Sequence, residues 1–396
     1  MTTDPPEQRT KNNKEKTFRF LFVNQFVFPD PAPTARLLGE VEAELRARGH
    51  ETILVGDRAS YHGHKTLLGS RALRELFSLL RLLGRAVFTR RADVIVCLTS
   101  PPLLPVVARL ASFRHRGAKL IHWAMDLYPD IAVALGEVRD GSPLHRVTAA
   151  MMGGVYRSCD LIVALDEDMA DRIALHGAKC EVQPPWPPSA ANGQGLTATR
   201  EPPTANCPPS TVWLYSGNLG RAHEWRTLLD AQHQLEQEGV DIDLVFQGGG
   251  AEREAARAYA GTLGLARCHW QAYVDDAELI PSLLAADCLI ATQRPETKGC
   301  LWPSKLALAL LLGRPIVWVG PAESAVRTLL EDRGHFCFVP GESSPLAESL
   351  KELAENQLLP GGKPDLQEVN FRIEEARLEA ISALVEKFEA TLINSD

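Results

Sequence analysis

Three short segments in the second half of the chain put glycines, an arginine and a lysine where a backbone can meet an anion. The first is Gly217-Asn-Leu-Gly-Arg221, directly after the apolar run Trp213-Leu-Tyr. Glycines there let main-chain N–H groups approach a ligand, and the planar fork of Arg221 matches phosphate oxygens. The second, Gln247-Gly-Gly-Gly-Ala251, joins a strand end to a helix start, where unpaired N–H groups favour an anion. The third, Leu301-Trp-Pro-Ser-Lys305, sets proline in the first turn of a helix over 304–312, with Ser304 and Lys305 at its positive end. Each also has a plain reading: a βα turn with a surface arginine, a tight turn, a capped helix with a solvent-facing lysine. None is a complete GxGxxG or phosphate-loop motif, which disfavours dinucleotide and ATP chemistry. All three follow strands of one domain and can open onto one rim.

In the first half, Asp126 follows the apolar run 119–125. It either orients an acceptor hydroxyl and takes its proton or caps the next segment. Asp166-Glu-Asp168 and Asp241-Ile-Asp243 have the form of a metal-binding Asp-x-Asp. Asp166 reads instead as a helix cap and Asp241 as the lead into a strand, so no metal ligation is expected. The eight cysteines are scattered, with no Cys-x-x-Cys pair, and reduced thiols are expected.

The elements that must position these residues alternate in βαβ fashion. Strands are expected over 18–23, 52–55, 94–98, 119–123 and 161–164, with a helix over 34–48 that stops at Gly49. A stretch rich in Pro, Ala, Thr, Gly and Asn follows, and the alternation then restarts with strands over 211–215, 243–246, 269–271, 288–291 and 315–319. The chain of 396 residues therefore divides into a polar leader (1–16), a first α/β domain (17–183), a proline-rich linker (184–210), a second α/β domain (211–370) and a final helical segment (371–396) expected to pack back across the domain boundary. Ligands of open parallel sheets bind beyond the carboxyl ends of the strands, so two such domains face each other across a cleft.

Residues 65–91 carry seven basic side chains (Lys65, Arg71, Arg74, Arg81, Arg85, Arg90 and Arg91) against one acid, Glu75. At about 100° per residue, Arg71, Arg74, Arg81 and Arg85 share a face, with Leu73, Leu76, Phe77, Leu80, Leu83 and Val87 broadly opposite. A cationic amphipathic helix in a chain of net charge −8 suits an anionic membrane surface, and Phe26, Phe28 and Pro29 in an earlier loop add apolar contact. The alternative is an ordinary helix with leucines in the core and arginines in water. No apolar run approaches the roughly 18 residues of a spanning helix. The polar start has no signal-peptide core. The acidic total argues against nucleic acid as a partner. A cytoplasmic protein lying on the inner face of the cell membrane is the expectation.

The order of Tyr215-Ser-Gly-Asn-Leu-Gly-Arg221, Phe246-Gln-Gly-Gly-Gly250, Asp276-Ala-Glu-Leu279, Ala286-Asp287 and Pro303-Ser-Lys305 before Gly313-Arg-Pro315 resembles glycosyltransferase family 4, nearest its bacterial surface-polysaccharide, fucosaminyltransferase-like branch. Arg48-Gly-His-Glu51 and Asp126-Leu-Tyr-Pro-Asp130 agree with that resemblance. It implies the GT-B fold, two Rossmann-like domains with a cleft between them. It also implies a retaining enzyme with no cofactor or metal, a nucleotide-sugar donor (UDP-linked, with an N-acetylamino sugar) and a lipid-linked or glycan acceptor. By position, Gly217, Asn218, Gly220 and Arg221 would face the donor phosphates, and Gly248 and Gly249 the nucleotide. Main-chain groups of Tyr273 and Val274 would meet the base; Trp302, Ser304 and Lys305 would lie at the pyrophosphate. Phe28, Thr34, Asp126 and Asp130 fall on the acceptor side, with Asp126, Arg221 and Lys305 as the catalytic set. The family's Glu-x7-Glu pair falls on Cys300 and Leu308 here, which leaves ribose recognition open. That departure motivates one alternative, a non-catalytic partner subunit. Another is a nucleotide-sugar epimerase or phosphorylase, which would turn over donor without acceptor.

Overall fold

The computed structural model describes residues 16–30, 32–57, 68–190, 211–355 and 365–393, without the side chains of 68–72. Residues 1–15 of the expected leader, 191–210 of the expected linker, Lys65 and the Arg71 side chain lie outside that description.

The first half runs β1 (Arg19–Val23), α1 (Pro33–Ala47), β2 (Glu51–Val55), α2 (Leu68–Phe88), β3 (Val94–Cys97), α3 (Leu104–Ser112), β4 (Lys119–Trp123), α4 (Asp130–Ala134), α5 (Pro143–Tyr156), β5 (Leu161–Ala164), α6 (Glu167–Ala174) and β6 (Glu181–Val182). The second runs β7 (Thr211–Ser216), α7 (Arg226–Gln237), β8 (Ile242–Gln247), α8 (Arg253–Leu263), β9 (Cys268–Gln271), α9 (Asp276–Ala285), β10 (Cys288–Thr292), α10 (Leu306–Ala309), β11 (Ile316–Val319), α11 (Ala325–Glu331), β12 (Phe336–Phe338) and α12 (Ser343–Glu355); α13 (Leu366–Ile393) follows. Each half builds one six-stranded parallel sheet, ordered β2-β1-β3-β4-β5-β6 and β12-β11-β10-β7-β8-β9. Helices cover both faces, so strands such as Val-Ile-Val-Cys of β3 and Ile-Val-Trp-Val of β11 are buried along their whole length. The strand order reverses between β1 and β3, and again between β7 and β10, and loops beyond those ends open onto the cleft.

α13 leaves the second domain and packs on α1 and β4 of the first. Its core residues include Leu384, Val385 and Phe388, all fully buried, and the Phe388 ring meets Trp123 edge-on at 6.5 Å. Glu389 fixes the register by accepting from Arg48 at 3.0 Å and pairing with His50 at 2.9 Å. Phe388→Ala should destabilise the protein by about 3–5 kcal/mol, read as a shift of the urea midpoint.

α2 departs from the reading of an ordinary helix with its leucines in the core. Its core contact is made by Ser78, Leu82 and Ala86, which pack with β1, β3 and α3. Leu73, Leu76, Phe77 and Leu80 instead stand outward at 50–60% exposure. Small residues at 78 and 86 let the helix sit close to the domain, and the heptad-like leucine stripe is left on the far side. Arg81 pairs with Asp57 at 2.8 Å and Arg85 donates to the Gly56 carbonyl, so these two arginines flank the stripe and tie the helix to β2.

Candidate functional site

The loops after β7 and β8 are laced together by main-chain bonds. Gly217 N–H donates to Gln247 O at 2.8 Å, Leu219 N–H to Gly249 O at 2.7 Å and Glu252 N–H to Leu219 O at 3.0 Å. Gly248 has φ +133°, and a β-carbon on it would lie 2.2 Å from Gly217 O. Only glycine fits there, which answers why a glycine run stands at this strand end. Gly248→Ala should cost about 3 kcal/mol of stability and open the loop pair, read as a lower Tm. The exposed ring of Tyr273 lies across Gly248 and Gly249. Beside it opens a cleft of 390 Å³ lined by Gln271, Ala272, Tyr273, Val274, Asp275 and Glu278.

Two bonds tie the β7 loop to the segment after β10. His223 Nδ1 meets Thr292 O at 2.8 Å, and Arg294 N–H donates to Ala222 O at 2.8 Å. The buried Gln293 amide then donates to Thr297 O at 3.0 Å and Leu301 O at 3.3 Å, folding 294–301 into a compact loop. That fold delivers Lys305 to the glycine loop. Its Nζ lies 3.3 Å above the centre of the Tyr215 ring, and 3.8 Å from where a Gly217 β-carbon would stand. The ammonium is sealed from solvent and donates to no acceptor among the described residues. Burial holds its pKa well below the ordinary lysine value, and the face of Tyr215 offsets part of that penalty. His223 is pushed down to about 3, first by burial and then by the nearby charge of Lys305, so it is neutral and gives its Nδ1 proton to Thr292.

Arg221 is placed differently from the expectation. Its guanidinium donates to Glu137 Oε1 at 2.7 Å and to Leu135 O, both just past α4 of the first domain. It spans the cleft as an interdomain pair, since a carboxylate within reach outcompetes water as its partner. Asn218 is exposed and Gly220 half-buried on the same loop. Ser304 is exposed in a turn; α10 is a single turn over Leu306–Ala309, so the helix expected from 304 to 312 and its dipole are absent. Trp302 packs into the core at 7% exposure, where an apolar indole gains more than at an anion.

Asp126 meets this loop from the other domain. It forms an antiparallel bridge with Leu301, and Leu127 N–H donates to Cys300 O at 2.8 Å. Thr99 Oγ1 accepts from Met125 N–H at 2.9 Å and Asp126 N–H at 3.4 Å, fixing the bend after β4. Burial raises the Asp126 carboxyl to about 6. Asp126 thus reaches the 294–301 loop from the first domain at Leu301, four residues along the chain from Lys305. Asp130, expected on the acceptor side, instead pairs with Arg172 at 3.4 Å, and Arg172 holds Lys298 O of the second domain at 2.6 Å. Asp166 caps α6 through Met169 N–H, as its sequence context suggests. Thr34 is half-buried in the first turn of α1, and Phe28 is 75% exposed beyond β1.

Sequence reasoning passed over His223, Gln293 and Glu137. A histidine three residues past a glycine at a strand end was a usable signal; Gln293 and Glu137 act through contacts that no local pattern announces.

Residues 210–356 match the family model described as glycosyl transferases group 1. No curated protein sequence matches the chain. Among solved structures, sucrose-phosphate synthase from Thermosynechococcus elongatus superposes with TM-score 0.68 at 13% identity, covering 96% of this chain and 100% of that one. HepE of Anabaena, in complex with UDP-glucose, gives 0.60 at 19% identity over 95% and 100% of the two chains. WaaG, a glycosyltransferase involved in lipopolysaccharide biosynthesis, gives 0.58 at 16% over 95% and 99%. At these identities the likeness is one of fold: the chain has the GT-B architecture of two Rossmann-like domains across a cleft. Its second domain carries the sequence pattern of the glycosyl transferases group 1.

Proposed function

We propose that this protein is a retaining glycosyltransferase that moves a sugar, an N-acetylamino sugar by its resemblance, from a UDP-linked donor to a lipid-linked or saccharide acceptor in cell-surface glycan synthesis. The observation that carries this reading is Lys305. A buried ammonium with no hydrogen-bond acceptor among the described residues is costly, and it stands beside the glycine loop, 3.8 Å from where a Gly217 β-carbon would be. A diphosphate bound there satisfies the cation. As the bond from the anomeric carbon to the diphosphate breaks, charge collects on the leaving oxygen, and Lys305 stabilises it in place. Arg221 adds a second charge when its pair with Glu137 opens, so the side chains neutralise the diphosphate and no metal or other cofactor is required. Tyr273 and Val274 border a cleft of suitable size for the base. Asp126 orients the acceptor hydroxyl and takes its proton.

The donor arrives on the cytoplasmic side, and the acceptor is drawn from the membrane, which we place against α2 through Arg74, Arg81 and Arg85. Among the described residues no helix is long and apolar enough to cross a membrane, which fits a protein that lies on one. A non-catalytic partner subunit is the second reading. Cys300 and Leu308 are both buried and supply no carboxylate for a ribose.

The test is a panel of nucleoside diphosphate sugars, followed by release of the free nucleotide with and without acceptor. Acceptor-dependent release supports transfer. Conversion of the donor that ignores acceptor points to an epimerase or phosphorylase, and neither binding nor turnover sinks the enzyme reading.

A further inference from the structure

The helical layer on one face of the first sheet is apolar on its outside as well as its inside. α2, α3 and α5 lie side by side there, with α3 touching both neighbours. The outward stripe of α2 continues onto α3 and its end as Leu110 and Phe113, and onto α5 as Leu144, Val147 and Met151, all 42–63% exposed. The α5 residues recur at i, i+3 and i+7, the spacing of a helix face meant for apolar contact. Single exposed hydrophobics are ordinary in soluble proteins, but stripes on α2 and α5 with Leu110 and Phe113 on the helix packed between them make a broad apolar face.

The charges on this layer are mostly of one sign. α3 and α5 contain no acidic residue, and α2 contains only Glu75. Arg74, Arg81, Arg109 and Arg146 lie on the three helices, and Arg114 and Arg116 follow α3 directly. The Arg109 guanidinium sits 4.4 Å from the Phe113 ring centre, a cation held against the apolar surface. In a chain of net charge −8, the acidic side chains are concentrated elsewhere. Aromatic and aliphatic contact bordered mainly by arginines, with Glu75, Asp57 and Asp140 the acids beside it, matches an anionic lipid surface, where headgroups take the charges and acyl chains the hydrophobics. A protein partner would call for a mixed rim.

We propose that α2, α3 and α5 form one docking platform for an anionic bilayer, with the protein lying on the membrane by this whole face and not by α2 alone. The proposal rests on the reading of a membrane-associated transferase and extends it. Helices of parallel crossovers begin at the carboxyl rim of the sheet, so Leu73, Leu76 and Phe77 of α2 and Leu144 and Val147 of α5 lie in the cleft-proximal halves of their helices, while Leu110 and Phe113 mark the far end of α3. The platform thus runs from the cleft rim along the layer, with its α2 and α5 end nearest a lipid-linked acceptor.

Flotation of the full chain with vesicles of equal parts phosphatidylglycerol and phosphatidylcholine tests this, with phosphatidylcholine alone as control. Phe77→Glu, Phe113→Glu and Val147→Glu probe α2, α3 and α5 in turn, at exposed positions where thermal melting verifies the fold. Each should lower partitioning into the anionic vesicles by about tenfold, with donor turnover on a water-soluble acceptor unchanged. Loss confined to Phe77→Glu overturns the platform and leaves docking by α2 alone. Equal binding by all three variants overturns both. A dimer by light scattering that Val147→Glu dissociates, without vesicle binding by the parent, assigns the face to a second copy and overturns the proposal. Turnover is scored separately, so failure of the transferase reading appears there and not in flotation.

Discussion

Lys305→Met is expected to lower kcat by about two to three orders of magnitude while raising Tm. The loss of rate follows because the ammonium is the only cation held at the glycine loop without a partner among the described residues, and removing one preorganised donor to a developing oxyanion typically costs that much. The gain in stability follows because methionine fills the space over Tyr215 without burying an unpaired charge. A residue placed for packing would give the opposite pattern, with Tm falling and rate preserved. The same lysine sets a pH dependence. In the empty site burial holds its pKa below the ordinary value, and a bound diphosphate restores the charged form, so binding takes up a proton. UDP affinity should therefore decline as pH rises through the empty-site pKa and flatten below it. Calorimetry in buffers of different ionisation enthalpy should register the uptake in the parent and not in Lys305→Met.

Asp126→Asn is expected to lower kcat/KM by about a hundredfold or more, the usual worth of a positioned base. In the parent, kcat/KM should fall as pH drops below about 6, where the raised carboxyl gains its proton. Stability runs the other way. The folded state keeps the Asp126 proton between 3.8 and about 6 while the unfolded chain releases it. The native state then binds more protons in that window, and this group's contribution to stability falls as pH rises across it. Asparagine removes that dependence, so the variant should melt higher than the parent at neutral pH. Unchanged turnover would return Asp126 to a purely structural role at the domain junction.

The sheets were legible because their strands are buried on both faces and read as unbroken apolar runs, as in Val-Ile-Val-Cys of β3. The edge strands β6 and β12 were not: at two and three residues, with half-exposed faces, they leave no periodic trace. The glycine loops were readable from composition, and the reason for them came only from the structure, where Gly248 presses on Gly217 O. Lys305 could be placed near those loops from its position in the chain. Its missing partner could not, since that depends on Tyr215 and on a loop held by Gln293. Arg221 shows the limit most clearly. Its own segment predicts a phosphate contact, but the acid that engages it, Glu137, is supplied by the other domain. The helical period of α2 was legible, but not which apolar residues turn inward: Ser78, Leu82 and Ala86 make the contact while Leu73, Leu76, Phe77 and Leu80 stand outward.

The most direct measurement compares UDP with uridine on the parent and on Lys305→Met by titration calorimetry. The account predicts that UDP binds the parent at least about a hundredfold tighter than uridine, a gap of about 2.7 kcal/mol, and that most of this gap vanishes in Lys305→Met while uridine binds both alike. An equal preference for UDP in the two proteins, or no preference in the parent, would contradict it, because the diphosphate would then lie away from the Lys305 ammonium buried beside the glycine loop.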